Sequence, residues 1–337
     1  RSTYILANHL VDRGWQVDII FPIIPPRNGY KITSLGWFKD KLIGLIRSLI
    51  RRSRINFRIK FNVICVPWIS RYWINDYDFI IANHWNTVKD IYSLPERCGI
   101  KYHYIRDIEQ WAFYYASEIE CFRLPIKKIV VSDWIRDFLY KNFSIKVEAV
   151  ITNGTDIKPF TLTSKKPSEL SVGMCYGTHP MKGGEYGIEG IAIAKEKIKD
   201  LKVILFGYEK PKEKLNFEYT WFQSPRGEAL REVYRKIHIF ISPSLQEGFH
   251  NPPREAMAAQ CSVIATNVGS IPHIGINKEN LLIVDIKDSK TIAEKIIYLY
   301  ENNLERKKLA QNGLSTIKKE TWKSRVDSFE SLMMQNH

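Results

Sequence analysis

The 337-residue sequence holds only five cysteines: Cys65, Cys98, Cys121, Cys175 and Cys261. They are odd in number and no two form a Cys-x-x-Cys pair, which argues against a disulfide framework or a zinc cluster and favours a reducing, cytoplasmic setting. No apolar run approaches the roughly 20 residues a membrane-spanning helix needs. His84, His103, His238 and His273 stand alone, without the i,i+4 spacing of a helical metal pair. No metal and no other cofactor is expected. Asp76-Tyr77-Asp78 has the form of a metal-holding pair, but Asp78 runs straight into the apolar Phe79–Ala82, which reads as the start of a strand. Short-period repeats and low-complexity tracts are missing.

Acidic residues are in deficit, 36 against 50 basic ones, giving a formal charge of +14. Half of that excess sits between residues 39 and 60, where eight basic side chains face Asp40 alone. Such an excess calls for an anionic partner. Nucleic acid is not expected, because the plentiful Tyr and Trp residues form no stacking motif with basic neighbours. Within 34–54, Phe38, Leu42, Leu45 and Leu49 recur at helical spacing with basic residues on the remaining face. Segment 38–54 is read either as a helix packed on the first domain with a solvated basic face, or as an attachment to an anionic membrane surface. The second reading would place the protein peripherally at the inner face of the membrane.

The length suits two α/β domains. Residues 3–12 read as a helix stopped by Arg13-Gly14-Trp15, and 17–21 as a buried strand. A helix leading into a strand of a parallel sheet implies an earlier strand, expected upstream of Arg1. Apolar runs at 79–82, 102–105, 129–131 and 148–151 alternate with helical stretches such as 134–142, which predicts a mostly parallel sheet covered on both faces. A polar, Pro-containing connector near 160 marks the expected boundary between domains 1–160 and 161–320. Alternation then restarts, with strands over 170–176, 202–206, 237–241 and 262–265 and helices over 186–197, 227–236 and 253–260. A final helix over 321–333 is expected to return to the first domain.

The most informative stretch runs from Ser242 to Ala259. A buried strand ends at Ile241, a loop with Gly248 follows, and Pro252-Pro253 open a helix expected to carry Glu255 in its first turn. Ligands of open α/β sheets bind beyond the carboxyl ends of strands, where a helix N-terminus offers free N–H groups to a phosphate. Glu247 and Glu255 can flank such a ligand and accept hydrogen bonds from sugar hydroxyls. Singly, Glu255 reads as a carboxylate favoured by the helix dipole and Glu247 as a solvated loop residue; together, with Gly248-Phe249 and the prolines between them, they read as a site.

The segment Glu247-Gly-Phe-His-Asn-Pro-Pro-Arg-Glu255-Ala-Met-Ala resembles the E-x7-E motif of retaining glycosyltransferase family 4, and the likeness continues through 261–272 and 280–285. The resemblance implies a GT-B fold, two Rossmann-like domains facing each other across a cleft, and transfer of a sugar from a nucleoside-diphosphate sugar to a glycan or lipid-linked acceptor, as in bacterial polysaccharide synthesis. It implies that Glu255 binds the nucleotide ribose, that Glu247 contacts the transferred sugar, and that Gly248, Phe249, His250 and Asn251 approach the sugar and diphosphate. Val172-Gly-Met-Cys-Tyr-Gly-Thr-His-Pro-Met-Lys182-Gly183 resembles the family's diphosphate loop, with Tyr176-Gly177 where members commonly carry Gly-Arg. Without that Arg, Lys182 is the expected side-chain cation for the leaving diphosphate. In the first domain, Asn153-Gly-Thr-Asp156 resembles the turn that ends the family's N-terminal domain. Arg106-Asp107 stands where many members have a His near the reacting sugar, which leaves Asp107 as the candidate there; a helix-capping aspartate is its plain alternative. A sugar-nucleotide epimerase, a phosphorylase, or a non-catalytic basic protein binding nucleic acid or membrane are the competing readings.

Overall fold

The computed structural model describes residues 2–23, 59–108, 115–160 and 166–335; the basic segment 38–54 lies outside the described residues. The chain divides into two units, Arg1–Asn153 with Trp322–His337, and Gly154–Thr321. The division thus falls at Asn153, seven residues before the connector near 160. The physical reason is that Thr155 already pairs with Thr321 and its amide donates to Glu320 O at 2.8 Å, so the chain joins the second unit's framework before the polar stretch begins.

In the first unit, α1 (Ser2–Asp12) buries Leu6 and Ala7 and stops at Gly14, whose φ of +93° suits a residue without Cβ. β1 (Asp18–Pro22) pairs in parallel with β2 (Asn62–Val66). A separate sheet has four parallel strands in chain order, β3 (Phe79–Ala82), β4 (Ile100–Ile105), β5 (Lys127–Val130) and β6 (Ala149–Val150). α2 (Val88–Tyr92), α3 (Tyr115–Arg123) and α4 (Asp133–Phe143) lie in its connections. The strand at 102–105 is found within β4, and that at 129–131 overlaps β5, which ends at Val130; their residues are buried nearly throughout, as expected of a sheet covered on both faces.

The second unit is doubly wound. Its six strands are β7 (Ser171–Tyr176), β8 (Lys202–Gly207), β9 (Thr220–Gln223), β10 (Ile239–Ser242), β11 (Ser262–Thr266) and β12 (Leu282–Val284). All pairings are parallel and the spatial order is β9-β8-β7-β10-β11-β12. The order therefore reverses between β7 and β10, the switch point at which such sheets open a crevice. Helices α5 (Gly184–Lys197), α6 (Glu228–Arg235), α7 (Asn251–Ala258), α8 (Ile271–Ile274), α9 (Ser289–Glu301) and α10 (Asn303–Ile317) complete the unit.

Successive strand residues feed opposite cores. Val203, Leu205, Ile239, Ile241 and Ile264 join Ile191 and Ala194 of α5 and Ile292 of α9. Ile204, Phe206, Phe240, Val263 and Ala265 join Tyr234 of α6 and Met257 of α7. This is the period of two written into near-continuous apolar runs. α5 approaches α9 closely because Gly190 has no side chain; a Cβ there would stand 2.6 Å from a methyl of Ile292.

α11 (Trp322–Gln335) belongs to the first unit. Arg13 bridges its Asp327 and Glu330, both at 2.5 Å, and Trp15 donates to Glu330 at 2.8 Å. Phe329 packs 6.3 Å from the Tyr104 ring. No helix among the described residues is long and apolar enough to cross a membrane.

Candidate active site

The loops leaving the two switch-point strands are stitched together. After β7 come Gly177 and a single helical turn, Pro180–Lys182, closed by Gly183 at φ +60°. A Cβ on Gly183 would lie 2.0 Å from the carbonyl oxygen of Pro243, in the loop after β10. The amide of Leu245 in turn donates to Met181 O at 2.8 Å. Glycine at 183 therefore lets the two loops touch backbone to backbone.

That contact brings Lys182 to Glu247. Nζ donates to Oε1 at 2.8 Å, and Ser244 Oγ donates to the same oxygen at 2.9 Å. The carboxylate side chain is 11% exposed and the ammonium side chain 46%. Burial alone would raise the Glu247 pKa; the facing His250, the Lys182 charge and the hydrogen bonds from Lys182 and Ser244 outweigh it and hold the carboxyl below its ordinary value. Burial pulls the imidazole of His250 down to about 4. The histidine is therefore neutral at pH 7, and Lys182 is the cation that compensates Glu247.

His250 is the N-cap of α7 in a left-handed conformation, φ +75°. Its ring turns into the unit, with Nε2 2.6 Å from Ser242 Oγ, so the side chain fixes the loop, and the backbone alone is placed at the helix entrance. Phe249 is buried and Asn251 exposed, while Gly248 is buried beside them. The loop is further pinned from β11 and α8: Thr266 Oγ1 donates to Ser244 O at 2.6 Å, and Ser270 N to Phe249 O at 2.7 Å.

α7 begins at Asn251, two residues before the expected start, because Pro252 and Pro253 with preset φ occupy its first positions. Glu255 consequently lies past the first turn. It is positioned by Tyr234 of α6, whose hydroxyl donates to Oε2 at 3.1 Å. Burial, together with the nearby Glu255 charge, pushes the Tyr234 pKa well up, so the phenol remains a donor. Cys175, at the end of β7, is pushed up to about 12 by burial and then by Glu255, with Glu247 adding to it and Lys182 opposing; its thiol stays neutral between the two glutamates. Tyr176 ends β7, and Gly177 lies against the Lys182 side chain, 3.0 Å from its Cγ to an added Cβ.

Asp107 is described with the first unit. It follows β4 and its Oδ1 accepts from the amide of Ile108 at 2.9 Å. The Asp76 carboxylate is paired with Arg97. Among the described residues, no group of three or more His, Cys, Asp or Glu could hold a metal ion. A cavity of about 540 Å³ lies at the amino ends of β4 and β5, lined by residues such as Asp78, Gly99 and Lys127; it contains none of the candidate residues.

Three residues within or in contact with the candidate segment carry no signal in the sequence or a faint one. Tyr234 and Ser244 carry no motif, since one is a helix residue and the other a plain loop serine. Arg254, beside Glu255, is 1% exposed: Nε donates to Thr155 Oγ1 at 3.0 Å, its guanidinium lies 4.8 Å from the Phe249 ring centroid, and Nη2 stands 3.5 Å from Glu320 Oε2. The one available signal was an arginine next to the motif in a segment otherwise apolar enough to be buried.

Residues 169–302 match the family described as Glycosyl transferases group 1. The chain is 27% identical over 234 residues to a capsular polysaccharide biosynthesis glycosyltransferase of Staphylococcus aureus, covering 64% of this chain and 60% of that protein. It therefore spans less than two thirds of that relative's length. Among solved structures, sucrose-phosphate synthase from Thermosynechococcus elongatus superposes with a TM-score of 0.72 over 98% of this chain and 91% of that one, at 18% identity. HepE of Anabaena, solved in complex with UDP-glucose, gives 0.64 at 14% identity, over 77% of this chain and 79% of that one. At such identities the structural likeness speaks for the fold, which is GT-B. Motif, sequence match and fold agree in likening residues 169–302 to the group 1 glycosyltransferases.

Proposed function

We propose that this protein is a retaining glycosyltransferase that moves a sugar from a nucleoside-diphosphate sugar to a glycan or lipid-linked acceptor in bacterial polysaccharide synthesis. The observation that carries the reading is the pair Lys182–Glu247 at the β7/β10 switch point, with the N-terminus of α7 and Glu255 beside it. Lys182 and the α7 amides stabilise the charge that builds on the diphosphate as its bond to the anomeric carbon breaks. Glu247 holds sugar hydroxyls, and Glu255, set by Tyr234, holds the ribose. The acceptor oxygen bonds the anomeric carbon on the face the diphosphate leaves, and its proton departs with the phosphate oxygen. Segment 38–54 would bring the protein to an anionic membrane surface, where lipid-linked acceptors reside.

A thermal-shift panel of nucleotides and nucleotide sugars tests the reading. Stabilisation by one nucleotide sugar over its competitors is expected, as is release of nucleoside diphosphate that depends on added acceptor. Epimerisation or phosphorolysis without an acceptor, or no response to any nucleotide sugar, would overturn it.

A further inference from the structure

The carboxyl end of the first unit's four-stranded sheet carries a cationic feature that the donor loops do not use. Arg106 follows β4 directly, and its guanidinium lies over the Tyr104 ring, 4.7 Å from the centroid. One terminal nitrogen, Nη2, donates to Oδ1 of Asn153, a buried residue beyond β6. The other, Nη1, is shut off from solvent and has no acceptor among the described residues. The neighbouring Thr152 hydroxyl is likewise buried without a partner among them.

Several other described guanidinium groups are neutralised, while Arg306, buried without a carboxylate, donates instead to the carbonyls of Leu299 and Tyr300 and to Asn303. Arg13, Arg97, Arg136, Arg231 and Arg235 each meet a carboxylate. Among the described residues Arg106 meets a neutral amide and an aromatic face and no carboxylate, so they leave its charge uncompensated where solvation is reduced. A second cation faces the same place. The Tyr104 hydroxyl donates to Ile151 O at 2.6 Å; burial raises its pKa, and the charges opposing that rise are Arg106 and Arg325 of α11.

A guanidinium fork preset by Asn153 and Tyr104 matches a planar or tetrahedral oxyanion, which can take two N–H bonds and the charge at once. A neutral hydroxyl would leave the charge unanswered. The location is the end of an α/β sheet where ligands bind.

We propose that this end of the first unit's sheet is an oxyanion site, in which Arg106 takes a phosphate or carboxylate carried by the acceptor. The word acceptor rests on the glycosyl-transfer reading; the anion site does not.

The test uses the full chain with 15N-labelled arginine, titrated with inorganic phosphate, sodium acetate and glucose while the side-chain Nε–Hε signals are followed. The Arg106 signal is the one missing from Arg106→Lys. It should shift saturably with phosphate or acetate, should ignore glucose, and should behave the same in Lys182→Gln, which removes the donor-loop cation. Response to phosphate alone identifies a phosphorylated acceptor, and response to acetate a carboxylated one. No saturable shift with either anion overturns the proposal, as does a shift that disappears in Lys182→Gln. Once a transfer assay is in hand, Arg106→Gln should raise the acceptor KM about 10- to 100-fold with the donor KM unchanged; the reverse pattern counts against it. Failure of transfer leaves the titration result standing, so the two readings are separable.

Discussion

Lys182 and Glu247, 65 residues apart in sequence, are joined by a 2.8 Å ion pair at the point where the second unit's strand order reverses. The carboxylate is held by Ser244 as well, while nearly half of the lysine side chain remains exposed. An ammonium has three donors. On the proposed reading, a diphosphate would bond to Lys182 without breaking its hold on Glu247, and the pair would be set before substrate enters.

Replacing each glutamate should separate the two halves of the site. Glu255→Ala removes the acceptor oriented by Tyr234 and should abolish most of the nucleotide-induced rise in Tm. Glu247→Ala should spare nucleotide binding and lower kcat about 100-fold, the scale of losing one well-placed polar group at a reacting centre. Calorimetry and initial rates on both variants check this, and full activity in both would defeat the assignment.

The acid limb of turnover should respond to Lys182. The Glu247 carboxyl is held below its ordinary pKa, so its ionised form persists below the usual glutamate range and is lost only as pH falls through the depressed value. Lys182→Gln removes one compensating charge and its hydrogen bond while burial stays. The acid limb of kcat should then move to higher pH, toward or past the ordinary carboxylate value. Unchanged limbs in the variant would mean that Glu247 does not titrate in the rate.

Much of this site was legible because its chemistry sits in consecutive residues. Glu247, Gly248 and Glu255 lie within one strand-loop-helix unit, and β7, β10 and β11 are apolar runs bounded by polar loops. What stayed hidden is non-local. Nothing in the sequence links Tyr234 to Glu255 or Arg254 to Thr155, because such contacts depend on how α6, α7 and the segment at 155 pack. β2 and β9 were missed because each is short, with exposed polar residues at its start, Asn62 and Thr220, and neither shows an alternating pattern. The start of α7 was misplaced because the prolines mask a helix that begins one residue ahead of them.

Stability should fall steeply between pH 6.5 and 4. Burial is the first cause that lowers His250 and His238 to about 4 and His103 to about 3. A histidine with a depressed folded pKa contributes stability above its unfolded value near 6.5, and loses it as pH falls toward the folded value. Each can contribute a slope of up to about 1.4 kcal/mol per pH unit within that window. Urea midpoints at pH 7, 6, 5 and 4.5 measure it, and His250→Asn should flatten the dependence. A midpoint constant down to pH 4.5 would contradict these depressed values.

Gly183→Ala tests the loop contact. The added Cβ would stand 2.0 Å from Pro243 O at a φ of +60°, so the β7 and β10 loops must part. The donor KM should rise at least about tenfold, since a misplacement near 1 Å can cost more than that in rate. The Tm should change little by comparison, because the strands beneath are held by their own cores. A normal donor KM would show that the Lys182–Glu247 pair does not depend on this approach.

Arg254 ties the motif to the place where the chain passes between units. Its guanidinium, 1% exposed, is shared by Thr155, Glu320 and the Phe249 ring, and Thr155 also pairs with Thr321. Arg254→Met keeps the length and apolar stem but leaves Glu320, itself 16% exposed, without its buried cation. Breaking one side of such a pair costs about 3 kcal/mol or more. Arg254→Lys restores charge but cannot reach Thr155 and Glu320 with one fork, so it should recover only part of the loss. Because residue 254 precedes Glu255 on the same helix, donor affinity should fall in step with stability across the two variants. Urea unfolding paired with nucleotide calorimetry reads both quantities; an intact donor affinity in a destabilised Arg254→Met protein would confine the arginine to holding the fold.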